Sequence, residues 1–175
     1  VYKRQPLAQR HLWDVLWQAG QDHGMAPFGM RAMMSLRLDR FFGSWLNEFS
    51  PDYTPGETGM DRFISFKKNV EFVGRAAAEA ERDSGAERQL VAFEVSALDA
   101  DAHAYEPVWI GGKVQGFCTS GGYSHHVEKS IALALIPRAV AKEDLEAEIE
   151  ILGEMRPAKL LTKALFDQEG ERFRC

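Results

Sequence analysis

Cysteine is nearly absent from this 175-residue chain: Cys118 and Cys175 are its only two, and the second is the last residue. No CxxC unit exists, which argues against a zinc site or a redox pair. The sparse cysteine points to a reducing compartment, read here as cytoplasmic. An excess of positive charge is lacking too. Lys plus Arg number 21 against 26 Asp plus Glu, a net charge of −5, so nothing draws the whole chain to nucleic acid or an anionic membrane. No apolar run approaches the ~20 residues of a membrane span, and these residues lead us to expect no signal peptide with a charged start and apolar middle. What is present, 45% hydrophobic, 27% charged and 11% aromatic residues, is the composition of a globular protein. It excludes disordered, collagenous and coiled-coil classes. A chain of this length buries roughly 70% of the surface its unfolded form exposes, so neither disulfide nor metal is needed to hold a core.

The first five residues, Val1-Tyr2-Lys3-Arg4-Gln5, look like translated library adapter and are set aside as a scar, with the gene's own upstream residues expected to be missing. The polar end at residues 169–175 reads as a natural terminus. Between them, Leu12, Val15, Leu16 and Ala19 form one apolar helical stripe, widened by Trp13 and Trp17, with Gly20 or Gly24 as the left-handed stop. Residues 30–42 are rich in helix formers and are expected to be a helix. Residues 50–59, with Pro51, Pro55, Gly56 and Gly59, read as an irregular loop, residues 63–66 as a short strand, and residues 73–83 as a helix stopped at Ser84-Gly85. After Arg88 the character changes. Residues 89–96, 107–110, 113–119, 130–136, 146–152 and 156–161 read as strands, with Gly111-Gly112 as a two-residue hairpin turn. Short strands with Gly and Pro turns and no intervening helices predict an antiparallel barrel or sandwich, a compact barrel of about six strands judged from turn spacing.

No residue grouping in this sequence establishes a catalytic centre. His125-His126 are neighbours expected on a strand, where they would point to opposite faces and share no metal. His103 beside Asp99 and Asp101 fits an Asp-rich turn. Thr119-Ser120-Gly121-Gly122-Tyr123-Ser124 is no Walker loop and is followed by no helix, so it reads as a tight turn between strands. Lys67-Lys68 fits the solvated end of a strand, and Cys118, next to Phe117, an inert core position.

The order of several motifs is more informative. Gly29-Met30-Arg31-Ala32-Met33-Met34-Ser35-Leu36-Arg37-Leu38-Asp39 resembles the GxxAxxSLRLE segment of the glycine-cleavage T-protein (aminomethyltransferase) family. Tyr53-Thr54-Pro55-Gly56-Glu57-Thr58-Gly59-Met60-Asp61 is similar to its YTPxExGLD loop, and Glu71-Phe72-Val73-Gly74-Arg75-Ala76-Ala77 to its (D/E)FIGRxA helix start. The Thr119–Ser124 stretch with Lys129-Ser130-Ile131-Ala132-Leu133-Ala134 resembles TSGGYSPxxGxSIALA. Arg156-Pro157-Ala158-Lys159 and the segment from Phe166 to Arg172 match the family's RPAKV and FYDPEGxR ends. Trp45 where T-proteins usually carry Tyr, Met33 in place of Arg, His125 in place of Pro, and the segments Asp61-Arg62-Phe63, Glu106-Pro107-Val108-Trp109 and residues 149–154 resemble the C-terminal half of dimethylglycine and sarcosine dehydrogenases.

The resemblance implies an α+β fold. Residues 6–87 would be the end of a T-protein-like folate-binding region and residues 88–175 the C-terminal antiparallel barrel. It implies an FAD-dependent amine dehydrogenase/aminomethyltransferase as parent, an oxidoreductase of one-carbon metabolism. FAD would sit in a missing N-terminal half, tetrahydrofolate in the T-protein half, and a small N-methyl amine would be the substrate. It assigns no catalytic residue here, since the family's Asp and its pterin-reading Glu would lie upstream, and the fragment alone is expected to be inactive. No metal, nucleic acid or membrane partner is implied, and the oligomeric state stays open. Arg37, matching the LR arginine, and Trp45, a π surface, are the cofactor-binding candidates for an anionic ligand with flat rings. The competing readings are an ion pair of Arg37 with Asp39 or Glu48, and packing of Trp45 on Phe41 and Phe42. Asp39 stands where the family carries Glu, which shortens its reach. A stand-alone aminomethyltransferase and the non-catalytic relative that assists iron–sulfur assembly are the alternatives. The latter carries a KGCYxGQ signature that this chain lacks.

Overall fold

The structure is a computed structural model and describes residues 6–174, without the side chain of Phe173. The adapter reading of Val1 to Gln5 and the thiol of Cys175 lie outside the described residues. The chain forms two compact units, residues 1–33 and 34–175. In the first, α1 (Gln9–Gly20) carries the expected apolar stripe, and Trp13 stacks on Trp17 with ring centroids 5.7 Å apart. A 3₁₀ turn (Gln21–His23) follows, and Gly24 at φ 66° is the left-handed stop. Helix α2 (Met30–Leu38) begins in this unit and runs into the next.

The second unit is built on a closed antiparallel barrel. Its strands are β1 (Arg88–Val95), β2 (Pro107–Ile110), β3 (Lys113–Ser124), β4 (Lys129–Pro137), β5 (Glu146–Ile151) and β6 (Glu154–Leu161), in the order β1-β4-β3-β2-β5-β6. The amino-acid pattern explains each wall. In β5, Glu146, Glu148 and Glu150 alternate with Ala147, Ile149 and Ile151, which are buried, so one face is wet and the other lines the core. Strand β4 is apolar without alternation because both its faces are covered. Ala132, Ala134 and Ile136 join the barrel core, while Ile131 and Leu133 pack outward with Leu38, Phe41 and Leu165. Gly111 and Gly112, at φ 60° and 75°, make the hairpin between β2 and β3 that the sequence predicts.

Several expectations are corrected. The Thr119–Ser124 stretch is not a turn but the second half of β3, paired with β4 from Ser120↔Leu133 to Ser124↔Lys129. Its glycines serve close approach: a Cβ on Gly121 would drive into the carbonyl of Ala102. Residues 63–66 form no strand, since a closed barrel has no free edge for another strand to join. A 3₁₀ turn (Asp61–Phe63) satisfies that backbone instead, and the exposed Lys67-Lys68 pair ends no strand. The segment at residues 50–59, expected to be an irregular loop, contains a short helix, α3 (Pro55–Thr58). Thr54 and Glu57 form a reciprocal capping box, and Pro55 occupies the first turn. Helix α4 (Arg75–Ser84) starts later than residue 73 because Gly74 is left-handed.

Candidate functional site

The helix expected over residues 30–42 ends at Leu38, and the way it ends sets the site. Phe41 takes φ 57°, a left-handed conformation normally left to glycine. The amide of Phe42 donates to the Arg37 carbonyl at 2.9 Å, and that of Phe41 to the Leu38 carbonyl at 3.0 Å, the hydrogen bonds of a Schellman motif. A bulky residue is strained there, and burial of Phe41 with Leu38 against β4 offsets the strain. The chain is thereby turned back, and residues 44–49 form a tight turn in which the amides of Glu48 and Phe49 both donate to the Ser44 carbonyl.

Glu48 is the centre of this turn and is fully buried. Its Oε2 accepts from the Ser44 amide at 2.6 Å and from Arg37 Nη1 at 3.5 Å, and its Oε1 accepts from the Ser120 hydroxyl. Asn47 Nδ2 donates in turn to Ser120 Oγ at 3.1 Å, and the Asn47 amide donates to Ser44 Oγ. The turn is thus bound to β3 of the barrel wall through Ser120. Arg37 has a side chain only 10% exposed. Its Nη1 also donates to the Phe42 carbonyl at 2.9 Å and its Nε faces Met34 Sδ, while Nη2 takes no acceptor among the described residues. Burial lowers the pKa of the guanidinium from its ordinary value, and the Glu48 charge works the other way. A guanidinium stays charged in a protein, so the group is a shielded cation with donor capacity to spare.

Trp45 stands on the outer side of the same turn, 78% exposed. It lies seven residues beyond Leu38, where the helix ends, and is not packed into a core with Phe41 and Phe42. Of the two ion-pair partners considered for Arg37, the structure selects Glu48. Asp39 is buried and its Oδ2 lies 3.4 Å from His126 Nδ1. Ser120 and Asn47, which complete the cluster, were not singled out as site residues. Ser120 was named only as part of a glycine motif, and no local pattern marks Asn47.

The other candidates do not assemble. His125 and His126 sit in the turn after β3 rather than on a strand, packed on Tyr123 and Phe166 respectively. No group of three or more His, Cys, Asp or Glu able to hold a metal occurs among the described residues. Asp99 pairs with Arg156, Asp101 accepts from Ser130, and the His103 amide donates to Glu106. Cys118 is fully buried in the barrel, and desolvation pushes its thiol up to about 12, as expected of an inert core position. No helix among the described residues is long and apolar enough to cross a membrane.

Residues 88–167 match the glycine cleavage T-protein C-terminal barrel domain, and residues 3–68 match the GCVT N-terminal domain. The chain is 35% identical over 163 residues to a mitochondrial dimethylglycine dehydrogenase of Homo sapiens, covering 93% of this chain and 19% of that protein. It is 34% identical over 161 residues to an aminomethyltransferase of Symbiobacterium thermophilum, covering 92% of this chain and 43% of that one. The chain therefore spans less than half the length of these curated relatives. Its fold superposes on the crystal structure of glycine cleavage system aminomethyltransferase T from Bartonella henselae with a TM-score of 0.80 and 22% identity, over 92% of this chain and 44% of that one. By its barrel, its ordered motifs and these matches, the chain belongs to the glycine-cleavage T-protein family.

Proposed function

We propose that this chain is the C-terminal part of a folate-dependent N-demethylating enzyme of the dimethylglycine/sarcosine dehydrogenase kind, whose T-protein-like half passes a one-carbon unit to tetrahydrofolate. The observation that carries this reading is the turn at residues 44–49, which carries an exposed indole, Trp45, and meets a shielded guanidinium, Arg37, through Glu48. The two residues fit a ligand of that chemistry, flat in one part and anionic in another. An aromatic face contributes about 1 kcal/mol, and a hydrogen bond to a charged group roughly 1.5–3 kcal/mol. Tetrahydrofolate, when bound, supplies the nitrogens that capture the one-carbon unit. In this reading Arg37 holds a ligand carboxylate, Trp45 carries a ring, and the buried Glu48 keeps both in place without meeting the substrate. FAD is assigned to no residue of this chain.

The relation to dimethylglycine dehydrogenases over 93% of the chain supports the demethylating reading. A similar identity to aminomethyltransferases keeps a stand-alone aminomethyltransferase as the second reading. The absence of a KGCYxGQ signature counts against the iron–sulfur-assembly relative. The test is a tetrahydrofolate titration of the full-length enzyme beside a dye-linked amine-oxidation assay. Trp45→Ala is expected to weaken folate binding about tenfold and Arg37→Ala at least as much, with amine oxidation nearly intact. Unchanged folate affinity in both variants overturns the reading. Aminomethyl transfer to tetrahydrofolate without amine oxidation selects the second one. The 175-residue chain alone is expected to show neither activity with dimethylglycine or sarcosine, added FAD and tetrahydrofolate.

A further inference from the structure

The two sides of the barrel are finished differently. The outer face of β4 is apolar and is covered by the chain itself, through Leu38, Phe41 and Leu165. The opposite wall, made by β1, β6, β5 and β2, is polar. It is hollowed into an open groove of about 600 Å³, lined only by those strands, the residue after β1 and the Gly111-Gly112 hairpin. Glu146, Glu148 and Glu150 stand on this wall at every second residue of β5. Cross-strand register sets Glu148 between Pro157 on β6 and Trp109 on β2, and Glu146 beside Lys159. The carboxylates of the wall are not equivalent. Glu150 accepts from the Trp109 indole N–H at 3.2 Å, which fixes the ring. Glu94 on β1 is taken by Lys129 at 2.7 Å. Glu146 and Glu148 are exposed and have no ion-pair partner among the described residues. Two free carboxylates therefore lie two residues apart along β5, about 6.8 Å, next to an oriented indole.

We propose that this wall is a docking surface for an extended Arg-x-Arg segment of a partner protein, laid along β5 with its two guanidinium groups on Glu148 and Glu146. Charge complementarity sets the sign of the partner, and the spacing sets its form. In extended backbone, side chains at i and i+2 share one face about 6.8 Å apart, the same period as the two carboxylates. Cations at i and i+1 would point to opposite faces. Arginine fits better than lysine, because one planar guanidinium stacks on the Trp109 ring while its N–H fork meets Glu148. Side chains must do the recognition, since a closed barrel offers no free edge for a strand to join. Lys159 is the one cation among the described residues lining the groove, and it opposes the partner. Neither Arg37 nor Trp45 lines the groove, so this surface and the folate reading stand or fall separately.

The test is a calorimetric titration of the 175-residue chain at low salt with two peptides of one composition, Gly-Ser-Arg-Ser-Arg-Ser-Gly and Gly-Ser-Arg-Arg-Ser-Ser-Gly. The first is expected to bind about fivefold tighter. Glu148→Gln and Glu146→Gln, both at exposed positions that leave the fold intact, should each weaken the first peptide about fivefold and remove most of the preference. Trp109→Phe keeps a ring but drops the bond to Glu150, and should cost about threefold. Lys159→Ala should tighten binding about twofold, while Asp22→Asn, which removes one acidic charge far along the chain, should leave it within about 1.5-fold. Equal affinity for the two peptides, binding of neither, or a loss in Asp22→Asn equal to that in Glu148→Gln overturns the proposal. Spermidine that displaces the first peptide at equal concentration would make the groove a small-polyamine site. Self-association of the chain that Glu148→Gln abolishes would make the occupant a second copy. Either result overturns the partner segment. So does a full-length enzyme that fails to bind a peptide the 175-residue chain binds, since the wall is then covered within the enzyme.

Discussion

The barrel interior and the turn at residues 44–49 both exclude water, and they do so by opposite means. Inside the barrel, Phe93, Val108, Ile149 and Ile151 are held by apolar contact, which has no direction and grows with the area removed from water. At the turn, Glu48 is just as buried, but its place depends on an amide, a hydroxyl and a guanidinium, each of which must stand at one distance and angle. The difference teaches which part carries stability and which carries geometry. Deleting apolar groups from the barrel removes favourable free energy directly. Halving the Glu48 cluster leaves a charge without its partner, and the first thing lost is the orientation of Arg37 and of the turn carrying Trp45.

Four measurements break or sharpen that comparison. Phe93→Ala, at a fully buried site in the barrel, is expected to cause the largest loss, about 3–5 kcal/mol of unfolding free energy. It is read as a lower urea midpoint at unchanged slope. A loss near zero would mean that the barrel core does not set stability. Gly121→Ala comes next, at about 1–3 kcal/mol, because its Cβ would meet the backbone carbonyl of Ala102, which cannot swing aside. Gly29→Ala, with open space around it, is the matched control.

The third measurement is a pH dependence. Burial alone would raise the Glu57 carboxyl above its ordinary value of 4.5, but hydrogen bonds from Arg88 and from the Thr54 backbone outweigh burial and lower it. The Arg88 guanidinium is raised by the same bond, which spans 2.6 Å. The unfolded chain therefore takes up the proton first. Stability from Glu57 is fully present above about pH 4.5 and is lost as pH falls through the lower folded value. Glu57→Gln is expected to remove this acid slope, so the gap between wild-type and variant urea midpoints should close on acidification. A gap that stays constant with pH would show that the pair does not act through charge. The smallest effect belongs to Trp45→Ala, which should change stability by less than about 0.5 kcal/mol because the ring is 78% exposed. A melting shift as large as that of Gly121→Ala would put Trp45 in a packed core.

Much of the frame was legible in the chain itself. The alternation in Glu146 to Ile151, the left-handed Gly111-Gly112 pair and the apolar run from Ile131 to Ile136 are local signals, and each became the strand or turn it indicated. Misreadings fell where a local signal had two meanings. Glycines at 121 and 122 suggested a turn, yet they mark a strand that another segment approaches closely. Good helix formers through Phe42 suggested a longer helix, but packing of Leu38 and Phe41 on β4 ends it early. Arg37 and Trp45 were reached through resemblance in motif order. Glu48 was visible only as one of two possible ion-pair partners for Arg37.

The sequence by itself determined the six barrel strands in outline and the Gly111-Gly112 hairpin, because side-chain period and backbone φ are properties of neighbours along the chain. Only the tertiary structure decided that Glu48 is buried, that Arg37 turns to it rather than to Asp39, and that Ser120 completes the cluster. Ser120 stands 72 positions from Glu48 along the chain. Whether a hydroxyl meets a carboxylate over such a separation depends on how the closed barrel and the turned-back end of α2 bring the two segments together, and no local pattern encodes that distance.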